Sequence, residues 1–172
     1  MGESGSVLGR CGEKWGCNPA RTPNTSNAAR GADVFFFGTF EHSIDERGRV
    51  AIPARYRRAF VDGGVIRPGP DGALEIYTQE TFDREAQLRL ESENGNRRRT
   101  ARRTRRGFMH DAYSVDLDKQ GRVLIQQVLR EVIALEGKCA LVGCGDYIEV
   151  WEPRRWEAEL NAVSRAARAD EE

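Results

Sequence analysis

Two short stretches of the sequence place an aspartate, a glycine and basic residues in nearly the same order. The first reads DERGR from Asp45 to Arg49, and the second reads DKQGR from Asp118 to Arg122. Strand-forming residues flank both stretches, so each predicts a hairpin turn whose glycine takes a positive φ. The aspartate of such a turn accepts hydrogen bonds from turn amides and reaches the arginine four residues on. We therefore assign the building of the turns to Asp45, Gly48, Asp118 and Gly121.

Both turns also carry cations. A salt bridge within the turn would explain the arginine of a single copy, but two copies that each keep a cation beside the glycine require another explanation. Arginine matches both phosphate oxygens and guanine edges. The sequence therefore predicts that exposed turn tips contact double-stranded DNA through Arg47, Arg49, Lys119 and Arg122.

The turns belong to an internal duplication, in which the spacing from Asp45 to Asp118 also relates the residues around them. In both copies a short helical stretch follows the turn, at 53–60 and at 127–135, and ends at a glycine. Two strand patterns and an amphipathic helix then close each copy. The predicted apolar faces of these helices comprise Phe82, Ala86 and Leu90 in the first copy, and Trp156, Leu160, Val163 and Ala167 in the second.

A copy of this length has little core of its own and would leave strand edges unpaired. We therefore expect an α+β fold in which two interleaved repeats form one pseudo-two-fold, barrel-like core with helices outside. The predicted repeats span 35–92 and 108–163, with an Arg-rich connector at 93–107. A disordered extension is expected at 1–34 and an acidic tail at 164–172.

The connector contains seven arginines between Arg97 and Arg106. A solvated helical face or linker is one explanation of this run. Because so many guanidiniums repel one another unless an anion is near, the run also predicts a secondary site for phosphate or for an acidic patch of a neighbouring subunit. This secondary basic patch comprises Arg102, Arg103, Arg105 and Arg106.

Composition limits the other classes of function. With 31% charged residues and no long apolar run, the chain is expected to be a cytoplasmic protein without a membrane partner. The net charge of zero argues against nucleic-acid binding when taken alone, so the clustering of arginines carries that prediction. Neither zinc-ligand spacing nor a nucleophile or phosphate-loop motif is present, and we expect no metal, no cofactor and no enzymatic activity. Cys139 and Cys144 are expected in the core.

The doubled turn makes the chain resemble the MraZ family of bacterial transcriptional regulators, in the AbrB-like swapped-hairpin barrel group. The hallmark of that family is a repeated Asp-x-x-x-Arg motif followed by a hydrophobic strand and Ile-Pro, seen here with Ile52-Pro53 after the first turn. Gln126 stands where a second proline would be. The resemblance extends over about 37–160, and the stretches 102–108 and 141–143 are similar to signatures of the family's second half.

The resemblance implies an AbrB-like double-split β-barrel and a ring-like homo-oligomer associated with the nucleoid. It also implies binding to promoter direct repeats and repression of the protein's own operon of cell-division and cell-wall genes. Carried over to this sequence, the DNA contacts fall on the turns that hold Arg47, Arg49, Lys119 and Arg122. The alternative is an AbrB-like oligomeric interaction module that engages an acidic protein without binding specific DNA.

Overall fold

A computed structural model describes residues 34–91 and 98–169 of the chain. The first copy comprises β1 (Phe36–Ser43), β2 (Arg49–Ala51), a 3₁₀-helix (Ala54–Phe60), β3 (Gly64–Pro68), β4 (Leu74–Thr78) and α1 (Gln79–Glu91). Helix α2 (Arg98–Met109) follows. The second copy comprises β5 (Tyr113–Val115), β6 (Arg122–Leu124), α3 (Gln127–Val132), β7 (Lys138–Gly145), β8 (Tyr147–Trp151) and α4 (Pro153–Ala169). The elements therefore follow the same order in both copies.

Parts of the predicted domain organisation lie outside the described residues. These are the expected disorder of the N-terminal extension over 1–33, the start of the Arg-rich connector at 93–97, and the end of the acidic tail at 170–172. The rest of the connector is helical, since α2 begins at Arg98, and the start of the predicted tail continues α4.

The two copies exchange strands. Six strands form one antiparallel sheet in the order β1-β7-β8-β4-β3-β5, and β2 pairs with β6 in a second, two-stranded sheet. The ladders β1–β7, β3–β5 and β4–β8 join strands of different copies, whereas only β3–β4 and β7–β8 join strands of one copy within the described ranges. The structure is thus a mixed α+β fold with interleaved repeats, and the ladders of the described residues place β1 and β5 at the two ends of the larger sheet.

The predicted hairpins are wrong in one respect, because the strands that flank each turn do not pair with each other. A backbone hydrogen bond from the amide of Asp45 to the carbonyl oxygen of Arg49 closes the first turn (3.0 Å), and Asp118 and Arg122 repeat it (2.9 Å). Beyond this bond the strands separate, since β1 joins β7 while β2 joins β6. The local pattern specifies the turn, but burial across the two copies selects the partner of each strand.

The register relates the copies by a pseudo-two-fold axis. Val50 faces Val123, its equivalent in the second copy, in the β2–β6 pair. Glu75 faces its own equivalent, Glu149, in the β4–β8 pair. Like charges opposite each other are unfavourable, and here the Arg67 guanidinium offsets them by an ion pair of 2.5 Å with Glu75.

One core is shared by both sheets. Val50 and Ile52 after the first turn, and Val123 and Ile125 after the second, are all 0% exposed. They pack in a single cluster with side chains of the six-stranded sheet, among them Ile66, Ile76, Leu141 and Ile148. The two-stranded sheet therefore covers the apolar face of the larger one. No helix within the described ranges has the length and apolar character needed to cross a membrane.

The predicted apolar faces of the closing helices are only partly buried. In α1, Phe82 and Ala86 are buried as expected. In α4 the prediction holds for the first turn, where Trp156 packs on Trp151 with ring centroids 5.8 Å apart. The side chains of Leu90 and Ala167 lie outside the described part of the structure.

The last residue of β4 caps the N-terminus of α1. The amide of Thr81 donates a hydrogen bond to the Thr78 hydroxyl, at 3.1 Å. This bond satisfies one of the amides that a helix leaves unpaired in its first turn. The cap therefore fixes where β4 ends and α1 begins.

Three residues expected in the core are exposed. Leu160 and Val163 of α4 are 48% and 54% exposed, because nothing in the described part of the chain covers α4 beyond its first turn. Cys144 is exposed, whereas Cys139 is buried as expected. Side chains alternate along a strand, so the two cysteines lie on opposite faces of β7: Cys139 faces the shared core with Leu141, whereas Cys144 lies on the other face, beyond Ala140 and Val142.

Substitutions at equivalent buried positions of the two repeats test whether the repeats share one core. We expect Ile52→Ala and Ile125→Ala each to lower the free energy of unfolding by about 2–5 kcal/mol, because both remove a fully buried side chain. Leu88→Ala, at a side chain of α1 that is 57% exposed, should change it by less than about 0.5 kcal/mol. Urea unfolding monitored by circular dichroism measures all three. Two separate unfolding transitions, with each isoleucine affecting only one, would contradict a shared core.

Candidate nucleic-acid interface

Each aspartate organises its own turn through one carboxylate oxygen. Asp45 Oδ1 accepts hydrogen bonds from the amides of Arg47 (3.0 Å) and Arg49 (2.9 Å). Asp118 Oδ1 repeats both bonds in the second turn, at 2.9 Å and 3.0 Å. The glycines Gly48 and Gly121 adopt φ of +79° and +75°, a conformation that glycine reaches without the steric cost of a Cβ. The two turns thus have the same backbone design.

The second carboxylate oxygen joins the turns to each other. Oδ2 of Asp45 accepts from Nε of Arg49, and Oδ2 of Asp118 accepts from Nε of Arg122, both at 2.8 Å. Each arginine also extends Nη1 to the aspartate of the other turn, at 3.4 Å from Arg49 to Asp118 and 3.5 Å from Arg122 to Asp45. We call these four residues the crossed ion cluster. It holds the two turns side by side, although they belong to different copies and lie far apart in the sequence.

The electrostatics of the cluster favour ionised carboxylates. Side-chain hydrogen bonds from Arg122 lower the pKa of Asp118 to about 2, and backbone amides of the turn add to the effect. The side chain and then the amide of Arg49 lower the pKa of Asp45 in the same direction. Both aspartates therefore stay negative at neutral pH, and the charges of the four residues balance.

The four predicted DNA contacts differ in exposure. Arg47 and Lys119 are exposed at the tips, as expected. The expected exposure of Arg49 and Arg122 is wrong, since only 24% of either side chain is accessible. The reason is physical: the arginine that follows the glycine begins a strand and turns back onto the aspartates. Of the four, only the tip residues lie outside the cluster.

A second pair of arginines, missed in the sequence, covers the glycines of the opposite turns. Arg57 lies against Gly121 and Arg130 lies against Gly48, so an added Cβ at either glycine would collide with a guanidinium. In both arginines Nε donates to the carbonyl oxygen five residues earlier, at 2.9 Å and 3.2 Å. The duplication could have revealed this pair in the sequence, because the spacing that relates Asp45 to Asp118 also relates Arg57 to Arg130.

Backbone hydrogen bonds complete the junction. The carbonyl oxygen of Gly48 accepts from the amide of Ile125, and that of Gly121 accepts from the amide of Ile52, both at 2.9 Å. Each glycine therefore contributes a positive φ, a bare surface for an arginine, and a hydrogen bond to the other copy. Any side chain at these positions would disturb all of these contacts.

The surface around the turns has an excess of positive charge. Because the crossed ion cluster is internally balanced, the remaining charges of the turns are Arg47, Lys119 and Glu46. Arg57 and Arg130 add two further cations beside the glycines. Four cations thus stand against one carboxylate, which is the electrostatic character of an anion-binding surface.

The secondary basic patch is a separate surface. Arg102, Arg103, Arg105 and Arg106 lie exposed on α2. Among the described residues, no hydrogen bond or ion pair joins them to either turn. The structure therefore brings together the four predicted turn residues, but not the patch.

Comparison with known proteins agrees with this doubled arrangement. The sequence matches the profile of the family described as "MraZ protein, putative antitoxin-like" twice, over residues 35–106 and 108–172. The chain belongs to the MraZ family.

Three MraZ relatives carry the name "Transcriptional regulator MraZ". The one from Thermomicrobium roseum is 36% identical over 133 residues, which cover 75% of this chain and 89% of that protein. The one from Roseiflexus castenholzii is 36% identical over 132 residues and covers 77% and 91%. The one from Lactiplantibacillus plantarum is 39% identical over 123 residues and covers 71% and 85%.

The lowered carboxylate pKa values predict a loss of stability in acid. A carboxylate with a depressed pKa in the folded state stabilises that state above its unfolded pKa of about 3.8, and the contribution disappears as the pH falls through the folded value near 2. We therefore expect the free energy of unfolding to fall between about pH 4 and pH 2. Urea unfolding at half-unit steps measures it. The double variant Asp45→Asn/Asp118→Asn should show a shallower decline, and an unchanged slope would contradict the role of the cluster.

Proposed function

We propose that the protein is a sequence-specific, DNA-binding transcriptional regulator whose contact surface is the pair of joined turns. The observation that carries the proposal is the crossed ion cluster, which holds two equivalent turns side by side with cations at their tips. The names of the relatives support regulation of transcription. Two equivalent turns on one rigid surface suit a duplex, whose phosphates and base edges repeat at regular spacing.

The four turn cations have two kinds of role in this proposal. Arg47 and Lys119 contact phosphates or base edges directly, since their side chains are exposed. Arg49 and Arg122 fix the spacing of the turns and also face the DNA. An arginine has five N–H donors, and the three contacts that each makes to carboxylates leave two N–H groups for a phosphate or a guanine.

We also propose the target of this regulation and its direction. The protein binds direct repeats in the promoter of its own operon of cell-division and cell-wall genes and represses it, while residing on the nucleoid. A footprint of the purified protein on the DNA upstream of its own coding region tests the target, and a promoter reporter with and without the protein tests the sign of regulation. Protection of no segment there would refute the proposed target.

We further propose that the shared core is the pseudo-two-fold, AbrB-like double-split barrel. The supporting observations are the four ladders formed between copies and the single cluster of buried side chains that both sheets share. In such a core the turns emerge together at one end of the axis, which fits their contact in the crossed ion cluster. An experimental structure tests whether the edge strands close.

The proposed assembly is a ring of several chains. Weak contacts become useful affinity only when several are held on a common face. The second copy exposes an apolar patch of Leu124, Val128 and Val132, 48–55% accessible, where the first copy has Ala51, Arg55 and Ala59. At the start of β1 the first copy exposes Phe35 and Phe37. Two different apolar patches on one chain favour head-to-tail contacts, and such contacts form a ring when the rotation between neighbouring subunits closes.

Single substitutions in the turns test the DNA surface. We expect Arg47→Ala and Lys119→Ala to weaken specific binding by about 1–3 kcal/mol each if they contact bases, with little change in melting temperature because both are exposed. Arg49→Ala and Arg122→Ala should abolish or strongly weaken specific binding and also lower the melting temperature, since each leaves carboxylates unpaired. Arg154→Ala, an exposed arginine on α4, is the control. Wild-type affinity in all four turn variants would remove the proposed surface.

A charge in the apolar patch tests the assembly. We expect Val128→Asp/Val132→Asp to convert a large oligomer into smaller species, because a carboxylate cannot be buried in an apolar contact without a partner. Sedimentation velocity at micromolar concentration measures the mass, and melting temperature confirms folding. Leu88→Asp, at a side chain 57% exposed on α1, is the matched control. A wild-type protein that sediments as a monomer, even with DNA, would contradict the ring.

A further inference from the structure

The four arginines of the secondary basic patch lie on one side of helix α2. At about 100° per residue, Arg102, Arg103, Arg105 and Arg106 fall within an arc of about 160°. The helix contains no acidic residue. Within the described part of the chain, no carboxylate lies within ion-pair distance of these four arginines, all of which are exposed. The result, among the described residues, is a row of guanidiniums without an ion-pair partner.

The opposite side of α2 anchors it to the fold. Phe108 is buried and stacks on Phe82 of α1, with ring centroids 5.4 Å apart and an angle of 11° between the planes. The guanidiniums of Arg67 and Arg89 lie over the same ring, at 4.5 Å and 4.6 Å. These contacts fix the rotation of the helix about its axis. The arginine row therefore faces solvent by construction.

We infer that this face of α2 is a second, sequence-independent DNA-binding surface that contacts phosphates of a duplex. The inference rests on the proposed function and extends it to a surface distinct from the turns. A duplex carries one negative charge per about 1.7 Å of its axis, so it can neutralise a row of closely spaced arginines. Contacts to phosphate add affinity and fix orientation without reading sequence.

The carboxylates of helices α1 and α4 fit the row less well than a duplex does. On α4, Glu157 and Glu159 point about 160° apart, so they do not form a matching row. On α1, the exposed carboxylates Glu80 and Asp83 amount to one pair for four arginines. A lipid surface is disfavoured as well, since Phe108 is buried against the protein and Met109, which is 37% exposed, is the one large apolar side chain that the described part of α2 presents to solvent.

The test compares two charge-matched variants of the full chain. One is Arg102→Gln/Arg106→Gln on α2, and the control is Arg154→Gln/Arg165→Gln, two exposed arginines of α4. Affinity is measured for a promoter duplex and for a random duplex between about 50 and 200 mM salt. In the α2 variant the slope of log affinity against log salt should fall by about two for each bound subunit, and both duplexes should lose affinity by the same factor. The control should match the wild type.

Two further measurements separate charge from folding. Arg102→Lys/Arg106→Lys should keep the wild-type salt slope, because it keeps both charges. The melting temperature of the α2 glutamine variant should be unchanged or higher, since the arginines repel one another. If the α2 glutamine variant melts at a lower temperature, the lysine variant decides between loss of charge and loss of structure. A salt slope that also falls in the lysine variant would overturn the inference, because that variant keeps both charges.

Each remaining outcome decides between the proposals. An α2 variant that behaves like the control, in a protein that still prefers its promoter, would overturn the inference and leave the proposed function intact. Loss of that preference would overturn it as well, by showing that α2 reads bases. If the α2 glutamine variant has a smaller sedimentation coefficient and an unchanged salt slope, the row binds carboxylates of a second copy and the inference is overturned. If that variant loses only its binding to anionic lipid vesicles, the row binds lipid and the inference is likewise overturned. A wild type that binds both duplexes equally would instead refute the proposed function.

Discussion

Strand exchange between the two repeats is the constraint from which the other features follow. Within the described residues, each repeat makes only one ladder of its own, β3–β4 or β7–β8, and its remaining strands pair across the pseudo-two-fold axis. Neither repeat can therefore bury its apolar strands alone. The exchange also brings both turns to the same place, where Val50 and Val123 meet on the axis. The pairing of strands in the core therefore determines where the two turns meet.

The crossed ion cluster divides the basic residues of the turns between two tasks. Partly exposed ion pairs contribute modest free energy, so the larger effect of Asp45, Arg49, Asp118 and Arg122 is to fix the position of the turns. Their mutual neutralisation leaves the cations at the tips and beside the glycines in excess over the one carboxylate of Glu46. Arg57 and Arg130, which lie on the glycines of the opposite turns, tie this arrangement to the helices behind it. Rigid placement matters for recognition because ordering a flexible loop costs affinity.

Sequence reasoning succeeded where the information is local or repeated. It predicted the turns and the positive φ at Gly48 and Gly121 because both depend on neighbouring residues, and the duplication predicted the interleaving. It failed to predict the partner of each strand, because alternation of apolar residues says which face is buried but not which strand lies alongside. The partial burial of Arg49 and the position of Arg57 on Gly121 depend on contacts between the two copies, which no local pattern contains.

The exchanged strands belong to one polypeptide, so their pairing is intramolecular and does not depend on the protein concentration. An obligate dimer of single repeats would dissociate and unfold on dilution, whereas this chain keeps its paired turns at any concentration. Because the two repeats are covalently linked, their sequences do not have to be identical. The tip sequences Glu46-Arg47 and Lys119-Gln120 already differ, so one molecule can present two unlike recognition elements, which a symmetric pair of identical subunits cannot do.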